Sequence, residues 1–458
     1  MKKNDILTLE IESMTNLGFG VARSEGLVVF VGGAVTGECA EVRIIKLAQS
    51  YAVGRVEKII KSSPHRDNTR CGISACSSCA YKNISYGHEL EIKGQEVKEC
   101  FIKSGLPETE VGAVIPSPKC REYRNKAQYP IALDKNGDYV VGFYAPKSHR
   151  VTEASSCPLA PTVFGEIIEV LKSFFKKHSL TVYDEESSRG LLRHIYLRRG
   201  EVSGEILLTL VINGSSLPHS DELVKLITER FSEVVGILLN VNKKNTNVIL
   251  GDEYITLYGK DFIYDTLCGV ELKISAPSFY QVNHDAAEVL YRKAKELAMP
   301  TKEDTLLDLY CGAGSIGLSM AESVGELIGI EIVDSAVRCA RENALRSGIT
   351  NAKFYTGDAK TTENLLARAE ADLGRKIEPT IVVLDPPRAG CDEALVRFVS
   401  SLSPKRIVYI SCNPATLARA CAAFKKFGYE CGTVTPVDLF PLTGHVESVV
   451  CLARRLDN

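Results

Sequence analysis

The chain has 458 residues, 45% of them apolar and 24% charged, with a formal net charge of −2. That length suits about two to four domains with a sizeable core, and the composition is that of an ordinary globular protein. A near-neutral chain is no general polyanion binder, so a nucleic-acid partner would need a local basic surface.

The opening MKKNDILTLE has no apolar run behind its lysines, so no secretory leader is expected. The longest apolar stretch, GLVVFVGGAV, is about ten residues, far short of a membrane span. A cytoplasmic protein with no membrane partner is expected. Its fifteen cysteines are then thiols, metal ligands or catalysts rather than disulfides.

Residues 1–61 alternate apolar and polar in short runs broken by glycines, which predicts about five strands and a small OB-like β-barrel. Such barrels often present a strand face to oligonucleotides. Residues 62–275 read as a mixed α+β domain. It opens on Cys71, Cys76 and Cys79, spaced C-x4-C-x2-C, with Cys157 further on. Three close thiolates and a distant one suit a metal or an iron–sulfur cluster, and the spacing alone resembles plant-type [2Fe–2S] sites. A zinc ribbon would need a second C-x-x-C pair. A helix near 88–105 follows, then strands such as AQYPIAL and GEILLTLVIN and a helix near PTVFGEIIEVLKSFFKKH.

Residues 276–458 alternate apolar strands (TLLDLY, LIGIEI, TIVVLDPP, RIVYISC) with helical patterns, the rhythm of a Rossmann-like α/β domain. The end, GTVTPVDLFPLTGHVESVVCLARR, predicts two antiparallel strands closing the sheet. After TLLDLY, Gly312, Gly314 and Gly317 form G-x-G-x-x-G, a turn that brings a ligand close to backbone N–H groups. Nicotinamide, flavin and S-adenosylmethionine enzymes all use it. Glu331 ends the next strand, where a carboxylate accepts hydrogen bonds from ribose hydroxyls. Asp358 points to the adenine edge. Asp385, before two prolines, is an acid at the carboxyl end of a buried strand and is costly there unless it binds something.

In RIVYISCNPATLARA, Asn413 is placed as an N-cap and Pro414 as the first helical residue. Cys412 therefore sits at a helix amino end, where the dipole is expected to lower the thiol pKa. Cys311 and Cys391 are rivals without that presentation. A thiolate beside a methyl donor suits methylation of carbon 5 of uracil. Addition to carbon 6 makes carbon 5 nucleophilic, and a base must then remove the carbon 5 proton. Glu447 in TGHVESVV is the candidate base, with His445 its rival.

Together FYQVN, DLYCGAGSIGL, LDPPR, ISCNP and HVESV resemble the RNA 5-methyluridine methyltransferases, with the 23S ribosomal RNA (uracil-5-)-methyltransferases the branch most alike. The resemblance spans nearly the whole chain. It implies a Rossmann-like S-adenosylmethionine-dependent methyltransferase domain with Cys412 as nucleophile and Glu447 as base. It places Gln281, Tyr310, Glu331 and Asp385 around the cofactor and the target uracil, and Phe279 in stacking contact with the base. It implies that the 1–61 barrel is a TRAM domain and that the four cysteines hold a [4Fe–4S] cluster of structural role. The helix near 88–105 would pack on the catalytic domain.

Residues 117–150 carry seven Lys/Arg against three Asp/Glu, and residues 189–199 carry four arginines and no acid. Such patches, with Arg124 and Lys126 in the first, suit phosphate contacts to RNA bearing a flipped-out uridine. A monomer is expected. The alternatives are a transfer RNA uracil-5-methyltransferase, a nicotinamide-dependent oxidoreductase and a non-catalytic RNA-binding iron–sulfur protein. The last two leave ISCNP and HVESV without a use.

Overall fold

A computed structural model describes residues 1–73, 76, 78–145, 148–358 and 366–455. Pro146 and Lys147 of the first basic patch lie outside them. The first 61 residues form strands β1 (Ile6–Glu10), β2 (Ser13–Met14), β3 (Phe19–Ser24), β4 (Leu27–Gly32), β5 (Cys39–Leu47) and β6 (Tyr51–Lys61). They make one sheet in the order β1-β5-β6-β4-β3-β2. The sheet curls on itself: just past β1, the Glu12 N–H donates to Val21 O on β3 at 2.8 Å. Alternate residues (Val29, Val31, Val42, Ile44) fill the inside, the period-2 pattern of a sheet with one wet face. The sixth strand beyond the expected five is the two-residue β2.

Helix α1 (Tyr86–Lys103) lies against the last domain, where Val97 and Phe101 join the core of the parallel sheet. Lys93 pins it there. Its fully buried ammonium bonds Glu89 and Asp438, both at 2.7 Å. Arg70 reaches Glu89 at 2.6 Å, so the network ties the segment before α1 to the end of the chain.

The central region contains β7 (Lys126–Leu133), β8 (Tyr139–Tyr144), β9 (Val151–Glu153), α2 (Thr162–Lys177), β10 (Leu192–Arg199), β11 (Ile206–Ile212), α3 (Ser220–Arg230), β12 (Val234–Val241) and β13 (Glu253–Gly259). Its seven strands order as β13-β12-β11-β10-β7-β8-β9. Phe164, Ile167, Leu171 and Phe175 of α2 cover one face. A hairpin of β14 (Phe262–Leu267) and β15 (Val270–Ser275) follows. Its buried Ile263, Leu272 and Ile274 share a core with the last domain.

The last domain runs α4 (His284–Ala298), β16 (Thr305–Leu309), α5 (Ser315–Ala321), β17 (Glu326–Glu331), α6 (Asp334–Arg346), β18 (Ala352–Thr356), α7 (Ala367–Leu373), β19 (Ile381–Leu384), α8 (Glu393–Ser401), β20 (Arg406–Ser411), α9 (Pro414–Lys425), β21 (Tyr429–Cys431), β22 (Thr435–Val437) and β23 (Glu447–Arg454). The sheet order is β18-β17-β16-β19-β20-β23-β21, with β22 paired to β23. The first five are parallel and β23 is antiparallel. Alternate residues of β16 and β19 enter two different cores, one on each face, which is why these strands read as unbroken apolar runs. The chain leaves β16 toward β17 and leaves β19 toward β20. The crevice between β16 and β19 is thus the switch point where ligands bind in such sheets.

Candidate active site

The site is built along the carboxyl ends of the parallel strands. Gly312 follows β16 with φ +55°, and a Cβ there would meet nothing within 4 Å, so the turn faces open space. Tyr310 precedes it with φ +66°, a strained value for a bulky residue. Gly314 caps α5. Gly317 is needed for a different reason: its N–H donates to Asp308 Oδ2 at 3.0 Å, and a Cβ would lie 2.7 Å from that oxygen.

Glu331 is already aimed at the turn. Its carboxylate accepts from the Gly312 N–H at 3.1 Å and the Val333 N–H at 2.9 Å. Asp358 lies two residues past β18, close enough to Tyr310 to help burial push the phenol up. Burial pushes the Tyr291 phenol up, with Ser315 and Gln281 near enough to oppose it, and its hydroxyl lies 3.1 Å from Ser315 Oγ at the start of α5.

Cys412 and Glu447 are brought together by register. In the antiparallel β20–β23 ladder Ser411 faces Ser448, so the next pair outward is Cys412 and Glu447. Asn413 caps α9, its side chain accepting from the Ala415 N–H at 3.1 Å, with Pro414 at the first position. The thiol pKa moves opposite to the expectation. Burial first, then the Glu447 carboxylate, push the half-buried Cys412 thiol up, and Arg388 pulls it back. Burial and a neighbouring carboxylate both disfavour the charged thiolate. The rivals are less accessible to ionisation. Burial drives Cys311 well above its ordinary value and Cys391 to about 12.

Three acids share the site. Burial lifts Asp385 to about 7. Burial, with Asp385 adding, lifts Glu447 to about 8 against the pull of Arg388. Asp308 rises to about 8 by burial, and its Oδ1 has no partner. Neither Arg388 nor Asp308 was singled out from sequence. A lone acid inside TLLDL and the arginine ending DPPR were the available signals. His445 is pushed down by burial; its ring packs edge-on to Phe440.

The four cysteines Cys71, Cys76, Cys79 and Cys157 line one cavity of about 350 Å³. Burial, then the other three thiols, push Cys79 up to about 12, with Arg124 opposing. Arg124 and Lys126 line the same cavity. Burial, then Arg198 and Arg124, hold Lys126 down at about 8. The 189–199 run is not one solvated face, because β10 is an interior strand. Arg193 is buried and donates to Asn242 O at 2.7 Å, and Arg198 is 1% exposed. Phe279 is 76% exposed.

Comparisons with known proteins identify the family. A profile of the tRNA (uracil-5-)-methyltransferase family matches residues 85–455. An RNA methyltransferase of Bacillus cereus is 38% identical over 99% of this chain and 98% of its own. One of Halalkalibacterium halodurans is likewise 38% identical, with the same coverage. The crystal structure of the Pyrococcus abyssi tRNA (uracil-54, C5)-methyltransferase, in complex with S-adenosyl-L-homocysteine, superimposes with a TM-score of 0.77. It is 27% identical and covers 97% of this chain and 99% of its own. With a profile match across most of its length and full-length relatives above 30% identity, this chain belongs to the RNA uracil-5-methyltransferase family.

Proposed function

We propose that this chain methylates carbon 5 of a uridine in RNA, with Cys412 as nucleophile, Glu447 as base and S-adenosylmethionine as methyl donor. The observation that carries the reading is the placement of Cys412 and Glu447 one step beyond the Ser411–Ser448 pair of the β20–β23 ladder, close enough for the carboxylate to add to burial at the thiol, beside a glycine turn that faces open space. The turn and the aimed Glu331 carboxylate fit an adenosyl ribose. Gln281, Tyr310, Gly312, Gly314, Asp358 and Asp385 are proposed to line the rest. When bound, S-adenosylmethionine supplies an electrophilic methyl group.

The protein's own part is proton and electron-pair management. Arg388 favours the Cys412 thiolate, which adds to carbon 6 of the ring and makes carbon 5 nucleophilic. Once carbon 5 is alkylated, Glu447 takes its proton, the ring double bond reforms and the thiolate leaves. Phe279 offers its face to the flipped-out base. The test is RNA containing 5-fluorouridine: with no removable proton at carbon 5, a covalent RNA–protein species should accumulate and map to Cys412. If no adduct forms with an RNA the enzyme otherwise methylates, the covalent route is wrong.

Both reacting groups must be deprotonated and both are held up by burial. kcat/KM should therefore rise by about a hundredfold per pH unit near pH 6, easing toward about tenfold per unit once Glu447 is ionised above about 8. A flat profile over that range would remove Glu447 from proton transfer.

We further propose 23S ribosomal RNA as the substrate, with the curled sheet of residues 1–61 acting as a TRAM domain. A second reading, transfer RNA, is favoured by the likeness to the Pyrococcus abyssi enzyme, which extends through that sheet. Parallel methylation assays on unmodified transcripts of both decide. The four cysteines are proposed to hold a [4Fe–4S] cluster. Burial, with neighbouring thiols adding, pushes Cys79 and Cys157 up, and four thiols around one cavity suit a cationic group that takes them as thiolates. Arg124 and Lys126 would partly offset the charge of such a cluster or meet RNA phosphates. Anaerobic chelation of iron should lower the melting temperature by about 10 °C or more; an unchanged transition would show the cysteines hold nothing structural. The chain is proposed to work as a cytoplasmic monomer.

A further inference from the structure

The segment 276–283 carries Phe279 and Gln281 and is held from outside its own domain. The Tyr196 hydroxyl donates to Ala276 O at 2.6 Å, and Arg198 Nη2 donates to Ser278 O at 2.8 Å. The Tyr280 hydroxyl donates to Asp265 at 2.8 Å. Asn125 donates from its side chain to Gln281 O at 2.8 Å and accepts from the Arg199 N–H at 2.8 Å, while its own N–H donates to Val282 O at 2.9 Å. Positions 276, 278, 280, 281 and 282 are all anchored, most of them to β10 or the residues leading into β7. Phe279, unlike these anchored positions, stands out in solvent.

Arg198 is the unusual member. Its guanidinium is always charged and 1% exposed, yet its partners are a hydroxyl and a carbonyl rather than a carboxylate. Its Nε and Nη1 have no partner, and in the β7–β10 register it faces another cation, Lys126. A buried charge bonded only to neutral acceptors is expensive, and an apolar residue of that length would pack at less cost. What the charge supplies is one strong, directional bond to the carbonyl immediately before Phe279.

We infer that Arg198 is a positioning residue: from the central domain it fixes the backbone at Ser278 so that Phe279 is held ready for the incoming base. Ordering an exposed aromatic before binding removes that entropy cost from the binding step. The inference rests on Phe279 being the stacking surface.

The test is a kinetic double-mutant cycle with the RNA transcript that the wild type methylates. Arg198→Met should lower kcat/KM by about tenfold, mostly through KM for RNA, while S-adenosylhomocysteine affinity stays within about twofold. In a Phe279→Ala background the same change should cost less than about twofold, because the group it positions is gone. Arg198→Lys should recover part of the loss, and Tyr196→Phe should reproduce a smaller, equally coupled loss if Arg198→Met folds poorly. Equal losses in both backgrounds, or a parallel fall in S-adenosylhomocysteine affinity, would overturn the positioning role. An impaired Phe279→Ala with a normal Arg198→Met ends this inference alone. A fully active Phe279→Ala ends the stacking reading and the inference with it.

Discussion

Cys412→Ala is expected to lower methyl transfer to RNA by roughly 10⁴-fold or more while S-adenosylhomocysteine binding and the melting temperature stay near wild type. The change removes one half-buried sulfur and leaves the Asn413 cap of α9 intact. No other thiol is poised to replace it. Cys311 and Cys391 are held further from ionisation by burial, and neither lies opposite Glu447 in the ladder. Transfer of labelled methyl from S-adenosylmethionine to RNA measures the loss. A native rate in the variant would leave only a cofactor-binding sheet.

Glu447→Gln should separate the two halves of the reaction. The amide keeps the shape and removes the proton acceptor, so alkylation proceeds and elimination stalls. Turnover should fall by about 10³-fold, and a covalent complex with ordinary uridine should survive denaturing electrophoresis. Its absence, with turnover lost, would point to His445 or a water as the base. The variant also has a stability signature. Burial lifts Glu447 from 4.5 to about 8, so over that range the folded chain keeps a proton that the unfolded chain has released. Wild-type stability from this site therefore declines as pH rises from about 4.5 to about 8. Glutamine escapes the decline, and its advantage in melting temperature should be largest at pH 8 and above and vanish near pH 4.5.

The parts of the site carried by local patterns were readable from the chain. The cap at Asn413, the proline at 414 and the glycine turn at 312–317 need only neighbouring residues to be recognised. The direction of the Cys412 shift was not, because it depends on Glu447 and Arg388, which reach the thiol only through the fold. Lys93 illustrates the same gap. On sequence it is a helix-surface lysine; in the fold it is buried against Asp438, 345 residues away. Arg193 and Arg198 looked like part of a phosphate-binding run, but interior placement of β10 turns both inward. The Cys71–Cys157 grouping was legible from spacing. That Arg124 and Lys126 share its cavity follows only from where β7 passes.

The placement of β23 has a consequence for biosynthesis. It is the last strand in chain order, yet it lies between β20 and β21. A nascent chain that stops before Glu447 would own the proposed nucleophile and the glycine turn but not the proposed base, and β20 would present a bare hydrogen-bonding rim to other chains. Competence for turnover and protection from aggregation thus arrive in one event, the insertion of a single strand.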